Sequence, residues 1–258
     1  MQEKCYLIQR SRYESIYLTP FEDVKLSSKW AVERPITWYA STTLTSQEKD
    51  RALYTLYNQI DRGVDRWIMD ARYVPRLLIS AAVFLIVYFF FALAVRDPIP
   101  VIDELILGVG AAIATGILIT KRDKKSDMVM RRRLELKQAA LRSEFDLIEG
   151  LGNLEAYLDE MLRYETLDLA DQLTLTKKSQ LKALKIEEGG EWVGEVQGLL
   201  KRHVELSSPK LFEWYKRLTT LHQKGVGDEV LSARLVKASV RKEVDLPLLA
   251  LMLALDLV

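Results

Sequence analysis

The apolar positions of this chain follow three patterns, and the longest is an unbroken block. Leu77 to Val95, LLISAAVFLIVYFFFALAV, runs for 19 residues without a charge. At about 1.5 Å of rise per residue it makes a helix about 28 Å long, close to the hydrocarbon thickness of a bilayer. A second block, Ile99 to Thr120, is apolar apart from Asp103 and Glu104 near its start. Helices apolar on every side for this length are rare in the core of a chain this size. The two blocks therefore predict a transmembrane hairpin over 75–120, with spans 77–95 and 99–120.

The second pattern is helical stepping. Thr45-Ser46-Gln47-Glu48 has the form of a capping box, and Leu53, Leu56, Tyr57, Ile60, Val64, Trp67 and Ile68 follow at three- and four-residue intervals. This predicts an amphipathic helix over 46–74 that leads into the first span. After the second span, Leu134, Leu141, Phe145 and Ile148 open an apolar seam, continued by Leu147, Leu151, Leu154, Leu158 and Met161. The spacing predicts a long coiled-coil-like helix over 121–170, interrupted near Gly150 and Gly152. It is expected to pair with the 46–74 helix or to form an oligomeric stalk. Residues 171–258 read as a series of shorter helices. Ser208-Pro209 marks one start, Gly225 and Gly227 an end, and Asp228 and Asp245 are candidate caps. The last segment, PLLALMLALDLV from Pro247, is too short to span a bilayer and reads as the buried helix of a small bundle.

The third pattern is the absence of a period. In residues 1–45 the aromatics Tyr6, Tyr13, Tyr17, Trp30, Trp38 and Tyr39 are scattered, and Pro20 and Pro35 break any long helix. CYLIQ and SIYL could be short strands or irregular arms. The fold class that emerges is an all-α membrane protein: a two-helix transmembrane hairpin carrying a cytoplasmic helical bundle, with an aromatic N-terminal arm.

Charge orients the hairpin. Arg62, Arg66, Arg72 and Arg76 precede the first span, and nine basic residues lie between Lys121 and Arg142. The connection, Arg96-Asp97-Pro98-Ile99-Pro100, carries one. By the positive-inside rule both termini are cytoplasmic, in a bacterial inner membrane or its equivalent. Lys121, Arg122, Lys124, Lys125, Arg131, Arg132 and Arg133 are candidate contacts to anionic lipid headgroups. Net charge is only +1, so no overall basic field points to nucleic acid. Cys5 is the single cysteine, which excludes an internal disulfide. The first residues carry no apolar run of the signal-peptide kind, so the first span is expected to act as the insertion signal.

Gly108, Ala112 and Gly116 recur every four residues on one face of the second span. There two helix backbones can approach closely, either within the hairpin or between copies. Asp103 and Glu104 fall in the first turn of the same helix, where the dipole favours anions; in an oligomer they could also ring a cation pathway. The segment DPIPVIDE resembles a short aspartate-and-proline motif of small bacterial membrane proteins of the YkvA type. The resemblance covers a small part of the chain and implies no activity.

Catalytic constellations are missing from the sequence. Only His203 and His222 are present, no phosphate loop, GxSxG elbow or HExxH occurs, and Gly108-Val109-Gly110 follows no strand. No cofactor or metal is expected, and an enzyme, tethered to act on lipid or a cytoplasmic substrate, is the least favoured class. The leading expectation is a membrane-anchored scaffold, adaptor or regulatory subunit, as a homo-oligomer or a subunit of a membrane complex. The alternative is an oligomeric channel or membrane-disrupting effector with Asp103 and Glu104 at its outer mouth.

Overall fold

A computed structural model of the chain describes residues 3–11, 14–22, 36–94, 102–176, 181, 183–184 and 190–257. Tyr13, Trp30, Pro35, the Arg96–Pro100 connection, and Glu188 and Gly189 of the turn expected over Glu188–Glu191 lie outside them.

A sheet stands at the centre. β1 (Glu3–Ser11), β2 (Glu14–Leu18), β3 (Ile36–Ala40) and β4 (Glu144–Leu147) are joined in the order β2-β1-β3-β4. β1 pairs antiparallel with β2 and parallel with β3, and β3 pairs parallel with β4. The expectation of an all-α fold is corrected here. The protein is mostly helical, but residues read as an aromatic arm supply three of four strands. The physical reason is burial on both faces. Cys5, Tyr6, Leu7 and Ile8 are all at most 1% exposed, so β1 shows a continuous apolar run rather than the alternation that marks a half-buried strand.

Strand alternation sends the two sets of side chains to different cores. Cys5, Leu7, Ile36, Trp38 and Ala40 pack on one face, against α1 (Ser46–Ala71) and α4 (Asp127–Leu141). There they meet Leu56, Ile60, Val64 and Ile68 of α1 and Val129, Leu136 and Ala140 of α4. Tyr6, Ile8, Ile16 and Leu18 face the other way, onto a bundle of six helices. These are α5 (Leu151–Met161), α6 (Thr166–Leu173), α7 (Glu191–Ser207), α8 (Pro209–Lys224), α9 (Glu229–Val240) and α10 (Leu246–Asp256). The apolar α10 is buried from Leu249 to Leu255 and forms the axis of that bundle.

Local signals explain several boundaries. Thr45 and Glu48 form the capping box at the start of α1, each side chain bonded to the other's backbone N–H. Pro209 occupies the first turn of α8, and Gly225, at φ 66°, ends it in the left-handed region. Asp228 and Asp245 accept the N–H groups of Leu231 and Leu248 at the starts of α9 and α10.

The leucine seam predicted for 121–170 is corrected in its first part, while Leu151, Leu154, Leu158 and Met161 of its second part are buried, in the six-helix bundle. Leu134, Leu141 and Leu147 are exposed, whereas Val129, Leu136, Ala139 and Ala140 are buried against α1 and the sheet. The segment is not one long helix. α4 ends at Leu141, β4 joins the sheet, and α5 starts afresh after a turn at Glu149-Gly150.

Two helices long and apolar enough to cross a membrane complete the chain: α2 (Tyr73–Ala94) and α3 (Ile102–Lys124). They pack on each other and project from the α1–α4 pair. Only Arg72 separates α1 from α2, and the backbone bonds from Arg72 to Ile68 and from Arg76 to Arg72 carry the helical ladder across it. Lys125 and Ser126 make the corresponding turn between α3 and α4.

Candidate functional site

The hairpin and the charged collar at its base form the most distinctive surface of the molecule. Within the hairpin, the small-residue row faces α2 of the same chain. A side chain on Gly108 would begin 3.0 Å from the ring of Phe84, and one on Gly116 would begin 3.4 Å from Ser80 Oγ. Gly108 therefore admits the Phe84 ring where a side chain would crowd it, and Gly116 lies in ordinary contact range of Ser80. Ala112 is half-buried between them, while Gly110 and Ala114 are exposed, with nothing within 4 Å of the space above Gly110. Thr120 returns its hydroxyl to the Gly116 carbonyl at 2.7 Å, so this polar side chain is satisfied within its own helix. Phe84 also stacks on Tyr88 at 5.9 Å.

Asp103 and Glu104 do not share a face. Glu104 is buried on the side of Gly108, one turn away, and Asp103 is exposed. Burial inside the pair is low overall: only 6% of the residues in the most apolar stretch of either helix are buried.

At the base, acidic residues of α1 and α3 divide the basic residues into two groups. Arg76 Nε donates to Asp123 Oδ2 at 2.8 Å, both side chains being 11% exposed, and a second Arg76 nitrogen donates to the Ile68 carbonyl at 3.2 Å. Arg72 approaches the other Asp123 oxygen at 3.7 Å. Asp65 holds Lys124 at 2.9 Å and also Arg133, and Asp61 holds Lys137 at 2.7 Å. These pairs tie α1 to α3 and α4. Of the residues singled out for lipid headgroups, Lys124 and Arg133 are thus engaged with α1. Lys121, Arg122, Lys125 and Arg131 are exposed, and Arg132 stands 3.7 Å from Glu135.

Polar contacts unforeseen from the sequence lock the sheet to the six-helix bundle. Glu195 of α7 accepts from Lys4 at 2.8 Å and from the Tyr6 hydroxyl. Burial works against its charge, but these two donors outweigh it and hold its pKa below the usual value. Arg10 grips the Asp245 carboxylate with two nitrogens, one of them at 3.0 Å. Glu155 of α5 accepts from the Gln9 backbone at 2.7 Å and from Ser41 Oγ at 2.5 Å; burial still pushes its pKa up.

The bundle carries one further polar cluster. Asp256 accepts from Gln197 at 2.7 Å, from Lys201 at 2.7 Å and from the Tyr215 hydroxyl, beside a cavity of about 410 Å³ that His222 also lines. His222 Nε2 lies 2.8 Å from the Leu173 carbonyl, which gives that ring a structural partner. Gln197, Lys201 and Tyr215 all meet Asp256, an arrangement that clamps the end of α10 to α7 and α8. Among the described residues no group of three or more His, Cys, Asp or Glu side chains could hold a metal ion. No signal in the local sequence pairs Asp256 with Lys201 or Glu155 with Gln9, because the partners are far apart in the chain.

No family model, no curated protein and no solved structure matches this chain.

Proposed function

We propose that the chain is a two-pass integral membrane protein in which the α2–α3 hairpin anchors a cytoplasmic scaffold, adaptor or regulatory domain. The observation that carries this reading is the uncovered hairpin. Among the described residues, seventeen large apolar side chains between Tyr73 and Leu118 are exposed. Removing each from water is worth about 1.5 kcal/mol, so their sum is on the order of 25 kcal/mol. That exceeds the whole stability of a typical domain, about 5–15 kcal/mol. A soluble core helix would gain this from its own chain. Here the gain is left to lipid.

The collar supports the same reading. Asp123 and Arg76 neutralise each other at the end of the apolar segments, and Lys121, Arg122 and Lys125 remain exposed where anionic headgroups would lie. By the positive-inside rule this end is cytoplasmic, together with the sheet, the six-helix bundle and both termini. The channel reading is less favoured, because Glu104 turns toward α2 while Asp103 turns away, and the glycine row is filled by Phe84 and Ser80.

The large three-layer body is assigned to recognition. Cross-linking in intact membranes, followed by sizing in detergent, tests this part. The expected result is a discrete oligomer or a stoichiometric partner. A strictly monomeric chain with nothing attached contradicts it.

A further inference from the structure

The two ends of the sheet are finished differently. β2, at one end, is buried at Ile16 and Leu18 and packs against α7. β4, at the other end, is exposed at Glu144, Asp146 and Leu147 and half-buried at Phe145. Among the described residues no strand pairs with its outer side. On its inner side the ladder to β3 ends where the Ile148 N–H donates to the Ala40 carbonyl at 3.0 Å. Backbone groups alternate along a strand, so those of Phe145 and Leu147 point away from β3. The Leu147 N–H is taken up by the neighbouring Asp146 carboxylate at 2.8 Å, a local bond that an incoming strand can replace. An open edge of this kind is a template for one more strand.

The side chains of β4 select that strand. Glu144 and Asp146 lie level with Thr37 and Tyr39 of β3 and share one face. Phe145 and Leu147, level with Trp38 and Ala40, share the other. Among the described residues neither carboxylate has a basic partner. The opposite face already holds a cation, since Lys49 of α1 lies 5.2 Å from the centre of the Phe145 ring. A second copy of β4 is a poor match: pairing two such strands sets carboxylates against carboxylates, and like charges across a strand pair destabilise it. A strand that alternates basic and apolar residues satisfies both faces. Its basic side chains meet Glu144 and Asp146, its apolar ones cover Phe145 and Leu147, and its backbone extends the ladder.

We propose that β4 is a strand-addition site for an extended segment of a partner protein in which basic and apolar residues alternate. The inference deepens the assignment of the three-layer body to recognition, and rests on it.

The test measures binding of a fluorescent peptide of alternating lysine and valine to the full chain in detergent. The expected result is saturable binding, with slower amide exchange across Glu144–Leu147. A peptide of alternating glutamate and valine should not bind, and Glu144→Lys with Asp146→Lys should reverse that preference. Leu147→Pro removes an outward N–H and leaves the ladder to β3 in place, so it should weaken binding by about tenfold. Absence of binding overturns the assignment. Binding that Leu147→Pro leaves unchanged, with no slowing of exchange in β4, also overturns it, because charge alone then accounts for the contact. Self-association of the chain that Leu147→Pro abolishes overturns the choice of a basic partner. The cross-linking experiment above reads the broader assignment separately: a stoichiometric partner there without peptide binding here removes the β4 site and leaves recognition standing.

Discussion

Three sites test different parts of the molecule. Ser80 and Gly116 face each other across the hairpin, and Cys5, the single cysteine of the sequence, is fully buried in the sheet. A Ser80→Cys/Gly116→Cys variant should therefore form an intramolecular disulfide on mild oxidation with no competing thiol, read by faster migration of the monomer band. The exposed pair Ala81→Cys/Gly110→Cys should not. Asp123 is the second. Its removal leaves Arg76 nearly buried without its charge partner, and Asp123→Asn should cost about 3 kcal/mol of stability in detergent. Replacing both by apolar residues of similar volume should recover most of that loss, which a denaturation series would show. Glu155 is the third. Burial raises its pKa, so the folded chain binds this proton more tightly than the unfolded chain does. Its stabilising share is present at low pH and lost as pH climbs from the ordinary carboxylate range through the raised value. Urea midpoints compared between about pH 4 and pH 7 should thus fall less steeply for Glu155→Gln than for the parent. A parallel fall would place the burial cost elsewhere.

At the scale of elements, what was legible in the sequence was what a local window contains. The capping box at Thr45, the stripe of α1, the proline start of α8 and the glycine end at Gly225 each depend on residues within a turn or two of one another. The sheet depends on partners far apart. β1 and β3 pair in register from Glu3 with Ile36 to Tyr6 with Tyr39, and β3 then meets β4 more than a hundred residues later. The two-sided burial of these strands erased the alternation that would have exposed them. The seam after Met128 misled for a related reason. Leucines recur there at coiled-coil spacing, but the face buried against α1 is built from Val129, Leu136, Ala139 and Ala140. Small residues let α4 lie close to α1 and the strands, which a count of leucines cannot reveal. Of the candidate site, the spacing of Gly108, Ala112 and Gly116 is legible in the sequence, but neither the Phe84 ring that lies against Gly108 nor the division of basic residues by Asp61, Asp65 and Asp123 is. One further element-level contact is tight enough to test. A side chain on Gly227 would begin 2.3 Å from the Leu175 carbonyl oxygen, where the backbone itself turns through a positive φ of 55°. Gly227→Ala should cost about 2 kcal/mol and loosen α9 from α6, measured by faster amide exchange in both helices.

The whole molecule is a three-layer body with a two-helix projection. One face of the sheet rests on α1 and α4, which run on into α2 and α3; the other rests on the six-helix bundle. Under the proposed function this continuity gives the anchor a mechanical sense. A force or a tilt at the hairpin would pass through Arg76, Asp123 and the ion pairs of Asp61 and Asp65 into the helices that support the sheet. Every element of that proposal depends on the hairpin being covered by lipid rather than by water. The most direct measurement is alkaline carbonate extraction of expressing cells followed by ultracentrifugation. The account predicts that the chain stays in the pellet through the carbonate wash and enters solution only with detergent. A folded, monodisperse chain in the detergent-free supernatant would contradict it.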